Sequence, residues 1–484
     1  MSDYHFPSWD LLQWVLIIPN ILLVITTAGH ALLYKRDPRA SLGWIATCIF
    51  FPIIGPFLYF LFGINRVQTR ARQMDKRSLN MIKRLNDEIE KTGMEISIDN
   101  LPVESREIAL ISESMAEYPL LGGNQIELMH NGERAYPAML EAIETASQYI
   151  FFSTYIFETD SQGDLFIDAL ARAVERDVDV RIIIDGIGEL YSFPWAGTLL
   201  KRKGIRVSRF IPPKLIPPTL HINLRNHRKI LVADGRIGFI GGMNIGYRHL
   251  AKNYQNKSRV IDTHFRLNGP IVTQLEHIFL DDWRFSRKEL RPRNIHPIEK
   301  AGDTICRIIP EGPNTGINKL EAVLMGAISA ARMEILIMTP YFLPSRELIG
   351  ALQTASLRGV DVNVILPKKN NLPFVQWATY NMLWELLKNG VKFYYQPQPF
   401  VHSKLFVVDD HYAQAGSANM DPRSLRLNFE LVMEIYDKHE VRIIADHIHL
   451  QIKKSQRITL QEVDSRNLLI RVRDAMAWLF SPYL

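Results

Sequence analysis

Tyr149-Ile-Phe-Phe-Ser-Thr-Tyr155, then Leu165-Phe-Ile-Asp-Ala-Leu-Ala-Arg-Ala-Val174, then Val178-Asp-Val-Arg-Ile-Ile-Ile-Asp185 set the architecture, because the chain repeats the pattern. The second statement reads Ile335-Leu-Ile-Met-Thr-Pro-Tyr341, Leu348-Ile-Gly-Ala-Leu352 and Val360-Asp-Val-Asn-Val-Ile-Leu366, in the same order. The matched segments Ala142-Ile-Glu-Thr-Ala and Ala327-Ile-Ser-Ala-Ala precede both. Such self-similarity marks a duplicated unit. Apolar, β-branched runs alternating with helix-period segments indicate strands buried on both faces between helices, so each copy is predicted to be an α/β sandwich with a mixed or mostly parallel sheet. The two halves, residues 121–300 and 301–484, are expected to pack as a pseudo-dimer within one chain.

Each half carries one polar constellation. The first has His227-Arg-Lys229, four residues, Asp234, six residues and Gly241-Gly-Met-Asn244; the second has His402-Ser-Lys404, Asp409 and Gly416-Ser-Ala-Asn419 at the same spacing. From His to Asn is 17 positions in both. A purely structural repeat has no need to keep His, Lys and Asn in step. Phosphodiester exchange does need them: one neutral imidazole attacks phosphorus while a second, protonated, donates to the leaving alkoxide. A pseudo-twofold axis would bring His227 and His402 together. Lys229 and Lys404 supply charge for the non-bridging oxygens, with Asn244, Asn419 and the Ser417 hydroxyl as neutral phosphate donors, so neither metal nor cofactor is called for. Asp234 and Asp409 complete the motif, but at strand ends they suit a turn-holding role better than proton transfer. Each histidine also needs a carboxylate on its far ring nitrogen. Glu430 is the candidate for His402 and Asp262 for His227. The solitary His30, His221, His249 and His411 are assigned no role.

Charge and hydropathy bound the setting. The 484 residues are 47% hydrophobic and 22% charged, ordinary for a folded protein, and a net charge of +6 does little to separate nucleic-acid from membrane partners. Cys48 and Cys306 have no metal-ligand spacing around them. Residues 11–34 and 41–63 contain no Asp, Glu, Lys or Arg, and each is long enough to cross a bilayer as a helix. Residues 1–65 are therefore expected to form a two-helix membrane hairpin, although Pro52, Gly55 and Pro56 allow a segment that dips instead. Residues 66–120 are expected to be a basic juxtamembrane linker. Its Arg66, Arg70, Arg72, Lys76, Arg77, Lys83 and Arg84 outnumber Lys35, Arg36 and Arg39 of the turn, which places the large domain on the cytoplasmic side of a multi-pass cell-membrane protein.

At its paired His-x-Lys-x4-Asp motifs the chain resembles the phospholipase D superfamily, and within it the bacterial cardiolipin synthases. Arg225-Asn-His-Arg-Lys-Ile, Gly241-Gly-Met-Asn-Ile-Gly, Thr339-Pro-Tyr-Phe-Leu-Pro344, Val401-His-Ser-Lys-Leu, Gly416-Ser-Ala-Asn-Met-Asp-Pro-Arg-Ser and the terminal Leu479-Phe-Ser-Pro-Tyr-Leu484 carry that resemblance. It implies that one phosphatidylglycerol gives its phosphatidyl group to a histidine, and that a second phosphatidylglycerol collects it to form cardiolipin and free glycerol. It also implies His227 as nucleophile and His402 as acid and base, although the symmetry of the repeat leaves the reverse open. The expected partners are phosphatidylglycerol, other anionic phospholipids and the membrane, with no nucleic acid; nothing in the sequence sets the oligomeric state. A hydrolytic membrane phospholipase D, or a non-catalytic scaffold binding anionic lipid, would share much of this pattern.

Overall fold

Ile182, Ile183 and Ile184 are all fully buried within the strand Asp179–Asp185, as a strand sandwiched between helices requires. Each contributes on the order of 2 kcal/mol by burial, and truncating one to alanine would cost roughly 2–5 kcal/mol. The computed structural model describes residues 11–35, 38–63, 82–213, 224–289, 298–312 and 318–481. The apolar N-terminal segment forms one unit and the sheet-bearing body another.

The body is built on one 15-stranded sheet. From one edge its strands run Gln456–Ile458, Lys392–Gln396, Asp361–Pro367, Glu334–Met338, Leu405–Val408, Tyr412–Gly416, Glu430–Ile435 and Thr304–Glu311. They continue through Leu121–His130, Thr263–Asn268, Ile237–Gly241, Ile230–Ala233, Tyr149–Thr154, Asp179–Asp185 and Arg206–Phe210. Apart from the first edge strand the order is a palindrome. At its centre the equivalent strands Leu121–His130 and Thr304–Glu311 pair antiparallel, with Leu121 opposite Cys306, as a twofold axis between them demands. In each half three strands are parallel and the rest antiparallel, so the sheet is mixed as expected.

Helices cover both faces, and capping residues fix where several begin. Asp160 accepts from the Gln162 and Gly163 N–H groups at 3.0 Å to start Ser161–Glu175, which buries Phe166, Ile167 and Leu170. Ser345 caps Arg346–Leu357 in the same place of the second half. Each half has its own apolar core. Part of the segment expected to be a linker is drawn into the second one. Leu101, Ile108, Ala109 and Leu120 lie in that core, and Ser112 donates to Glu434 at 2.5 Å. The basic residues between Arg66 and Arg77 lie outside the described residues.

In the N-terminal unit the first apolar stretch forms the 24-residue helix Leu11–Tyr34. At about 1.5 Å per residue it reaches roughly 36 Å, enough for the hydrocarbon core. The second stretch is not one continuous helix: Pro38–Phe50 spans 13 residues, breaks, and resumes as Ile54–Leu58 and the wider turn Tyr59–Gly63. Pro52 lacks the N–H that would carry the helix on. Gly55 then packs so tightly that a Cβ would lie 2.3 Å from the Thr47 carbonyl oxygen. Among the described residues one unbroken helix is therefore long and apolar enough to cross a membrane, and the second limb of the hairpin is broken at the prolines and glycine that the sequence marked. Tyr59 ties the two limbs together by a 2.8 Å hydrogen bond to His30 Nδ1.

Candidate active site

His227 and His402 each sit just before a short buried strand, Ile230–Ala233 and Leu405–Val408, and both segments lie against the opposite half. The His402 N–H donates to Ile261 O at 2.8 Å, where Phe400–Val401 pairs in parallel with Val260–Ile261. Its symmetry mate is the His227 N–H, which donates to Phe429 O at 2.9 Å. These two exchanges bring the histidines of both halves to the shared interface.

They also decide which carboxylate each imidazole meets, and here the sequence-based pairing is corrected. His227 Nδ1 lies 3.0 Å from Glu430, and His402 Nδ1 lies 2.8 Å from Asp262. The pairs cross between halves, because each histidine segment hydrogen-bonds to the backbone next to the other half's carboxylate. Both carboxylate side chains are fully buried, while each imidazole keeps 12% exposure. A carboxylate on Nδ1 fixes the proton there and leaves Nε2 as the reactive nitrogen. Although burial works against it, the His227 and Lys229 charges and the Ser417 hydroxyl hold Glu430 below the usual carboxylate range.

Burial dominates the electrostatics of the bases. It lowers the pKa of His227, with Glu430 opposing, and lowers that of His402 much further, helped by the charges of Lys404, Lys229 and His227. The same desolvation pushes Lys229 down to about 7 and Lys404 down to about 8. Lys229 Nζ donates to the His227 carbonyl at 2.7 Å, and Lys404 Nζ donates to the His402 carbonyl. Each lysine is thus anchored beside the imidazole it follows by two residues. These mutual effects place both His and Lys pairs in one electrostatic neighbourhood.

Other expected residues divide. Asn244 and Asn419 are buried; the Ile156 N–H donates to Asn244 Oδ1 at 3.1 Å, and Asn419 donates to Ser424 Oγ at 3.2 Å. Ser417 is corrected from phosphate ligand to support. Fully buried, it donates its hydroxyl proton to Glu430 at 2.5 Å and accepts from the Leu431 N–H at 3.1 Å, so the hydroxyl is committed within the protein. Asp234 and Asp409, the acidic members of the two motifs, each lie beyond the far end of the strand the histidine precedes and hold turns rather than facing the imidazoles. Asp234 accepts from the N–H groups of Ser147, Gln148 and Tyr149 at 2.8–2.9 Å, and Asp409 from those of Arg332, Met333 and Glu334 at 2.8–3.0 Å. Both adopt left-handed backbone, φ 50° and 52°, which Asp tolerates better than most residues. Among the described residues no group of three or more His, Cys, Asp or Glu could hold a metal ion.

Two kinds of residue escaped the sequence reading. The Tyr155 ring meets His227 edge-on at 5.1 Å, and Tyr341 meets His402 at 6.4 Å. Their signal was their matched place at the ends of equivalent repeat segments. Arg228, to which the sequence reading assigned no role, is a buried tie between halves: it pairs with Asp282 at 2.7 Å and donates to the carbonyls of Glu430 and Glu311 at 3.0 and 2.8 Å.

Comparison with known proteins agrees with this arrangement. Residues 139–283 and 324–454 match the family model described as cardiolipin synthase, phospholipase D-like domain, and residues 18–63 match a phospholipase D-nuclease N-terminal model. The chain is 31% identical to a cardiolipin synthase of Oceanobacillus iheyensis over 98% of its own length and 99% of that protein. It is 31% identical to the major cardiolipin synthase ClsA of Bacillus subtilis, with the same coverage. A crystal structure of a phosphatidylserine synthase from Haemophilus influenzae superposes with a TM-score of 0.59 at 16% identity, covering 79% of this chain and all of that one, a likeness of fold.

Proposed function

Because the chain belongs to the cardiolipin synthase family of phospholipase D-like enzymes, we propose that it joins two phosphatidylglycerols through a phosphohistidine, giving cardiolipin and glycerol. It is a phospholipid phosphatidyltransferase, and its N-terminal apolar helix associates it with membranes. The observation that carries the mechanism is the crossed pairing, which sets a carboxylate of the opposite half against Nδ1 of each imidazole at one interface and so reserves Nε2 for the chemistry.

In this reading His227 Nε2 attacks the donor phosphorus. The bond from phosphorus to the glycerol headgroup oxygen breaks, and His402 Nε2–H delivers its proton to that oxygen. The bound phosphodiester anion opposes the burial that lowers the His402 pKa. Ionised Glu430 balances the positive charge of the phospho-imidazolium formed on His227. The headgroup hydroxyl of a second phosphatidylglycerol then gives its proton to His402 Nε2 and attacks phosphorus, which releases His227. Lys229, Lys404, Asn244 and Asn419 stabilise the equatorial oxygens throughout. One phosphodiester replaces another, so no nucleotide is consumed. Excluding water separates transfer from hydrolysis.

We place the catalytic body on the cytoplasmic side, following the excess of Lys and Arg after residue 63 over the turn before it. Both lipids are taken from the bilayer, since removing two acyl chains into water costs about 0.8 kcal/mol per CH2. The test is to give purified enzyme vesicles containing headgroup-labelled phosphatidylglycerol. Cardiolipin with an equimolar yield of free glycerol supports the proposal. Phosphatidic acid as the sole lipid product makes the chain a hydrolase instead.

A further inference from the structure

The C-terminal helix Leu468–Leu479 packs Ala477 and Trp478 on the second core and turns most of its large apolar side chains the other way. Its Asp474 is fully buried, bonded to Arg466 at 2.5 Å and to Arg473 at 2.7 Å, while its leucines, Val472 and Met476 face outward. Leu468, Leu469, Val472, Met476, Leu479 and the following Phe480 are all exposed, Leu469 by 77% and Met476 by 60%. At about 100° per residue these six fall within an arc of about 120°, one continuous stripe. A soluble surface helix turns such a stripe inward. A helix lying in a lipid interface turns it outward, with cations at its margins, and the exposed Arg471 borders this one.

A series of contacts runs from the stripe to His402. Phe480 packs on exposed Phe374 at 5.8 Å, and the adjoining loop supplies Asn371, whose Oδ1 accepts from the Tyr341 hydroxyl at 2.8 Å. Tyr341 is the ring against His402. A second apolar projection approaches from the other half: Phe193 is 87% exposed, with Leu190 and Trp195 beside it. Tyr191 of that loop lies 6.3 Å from Tyr155, the ring against His227, and its field also reaches Tyr341. Both projections thus flank the same pair of tyrosines. The exposed Lys368 and Lys369 add positive charge on the Tyr341 side.

We propose that the helix Leu468–Leu479 and the 190–195 loop are a lipid-docking surface that inserts into the bilayer interface around the mouth of the two-histidine site. The occupant is a membrane containing anionic lipid, for three reasons. The surface is apolar with basic margins, it is split across two elements that straddle one opening, and a protein partner covering both would close the mouth to two-chain substrates. Contiguous exposed apolar surface of this kind marks an interaction site. This goes beyond the N-terminal anchor, because the body itself engages the bilayer and orients the site.

The test uses the full chain in vesicles of phosphatidylglycerol and phosphatidylethanolamine, with Met476→Cys and Phe193→Cys each carrying a nitroxide spin label. The native Cys48 and Cys306 are buried and leave these positions selectively labelled. Docking is expected to make both labels several-fold more accessible to oxygen than to a water-soluble nickel chelate. Labels that favour the chelate overturn the proposal. So does dipolar coupling between labels of two molecules without oxygen enrichment, which would assign the face to a second copy. A Leu469→Asp, Met476→Asp variant should lose about tenfold or more in turnover of vesicle lipid and keep its turnover of short-chain monomeric phosphatidylglycerol. Equal loss on both substrates would count against docking. The labelling arm reads insertion whatever reaction the site performs, so its failure is distinct from failure of the transferase reading.

Discussion

Replacing Glu430 by Gln and Asp262 by Asn, one at a time, tests the crossed pairing most directly. Each change keeps the shape and an acceptor oxygen but removes the charge facing an imidazole, at 3.0 Å in one pair and 2.8 Å in the other. At an effective dielectric constant of about 20, unit charges 3.0 Å apart attract by roughly 5.5 kcal/mol, an upper limit. A hydrogen bond to a charged group is worth about 2 kcal/mol net. At 1.36 kcal/mol per decade the loss in kcat/KM lies between roughly 30-fold and 10⁴-fold, nearer the lower figure because the amides still accept from Nδ1–H. The informative assay adds a phosphatidyl ester of p-nitrophenol, a leaving group that needs no proton. On this substrate the variant lacking the general acid is rescued and the variant lacking the nucleophile is not. Whichever of His227→Ala and His402→Ala is rescued identifies the acid without prior assumption. Crossed pairing then requires Asp262→Asn to behave as His402→Ala does, and Glu430→Gln as His227→Ala does. The opposite match, each carboxylate sharing the phenotype of its own half's histidine, would refute the reasoning.

The kcat/KM profile should be bell-shaped, since it reports the free enzyme. His402 must carry its proton, and because burial and the neighbouring cations drive its pKa well down, the alkaline fall begins with it. Lys229 and Lys404, pushed down to about 7 and 8, lose their charge as pH rises through those values and steepen the fall, while His227, also lowered by burial, loses its neutral form as pH falls. An undiminished rate at pH 10 would contradict this. Ser417→Ala removes the 2.5 Å bond that steadies Glu430 and should lower kcat by about tenfold, with little change in vesicle binding measured by flotation. Gly242→Ala should be at least as damaging, because its Cβ would lie 2.3 Å from an Asp262 carboxylate oxygen; full activity in this variant would show that Asp262 is free to move. Asp409→Asn weakens a cap on three backbone N–H groups, so thermal denaturation should shift downward while turnover at 25 °C stays within a few-fold of the parent.

The repeat was legible because strand burial and helix periodicity are local properties, written into runs such as Val178–Asp185 and Val360–Leu366. Two copies with one His-to-Asn spacing made the interface foreseeable, since two imidazoles can share a phosphorus only across a twofold. The partner of each imidazole was not foreseeable. Asp262 and Glu430 follow the Gly-Asn turns of their own halves, and sequence order favours the nearer histidine in each case. The parallel pairing of Phe400–Val401 with Val260–Ile261 turns Asp262 across, and the parallel bridge between Asn226 and Phe429 turns Glu430 across. The same limit hid the placing of residues 101–120. They precede the first half in the chain yet complete the core of the second, through contacts such as Ser112 to Glu434 that span 322 positions. By contrast, the break in the second apolar stretch was written in Pro52 and Gly55, whose effects are local.

The two small departures from symmetry, Gly242 against Ser417 and Asp262 against Glu430, are one feature seen twice. Asp262 is a methylene shorter, so its carboxylate lies close to its own backbone, accepts from the Thr263 N–H at 2.8 Å and fills the space a side chain at position 242 would need. Glu430 reaches further, and the Ser417 hydroxyl fixes the end of that longer side chain. A serine beside the short carboxylate would clash with it, and a glycine beside the long one would take away one of the two partners of Glu430 Oε2, leaving His227 alone to hold it. Each half therefore carries the small residue its carboxylate permits. A duplicated scaffold would otherwise give two identical imidazoles competing for one role. Differing by one methylene and one hydroxyl, it instead sets His227 against a long carboxylate that the Ser417 hydroxyl steadies and His402 against a short one that its own backbone steadies, so the two imidazoles are held by different means.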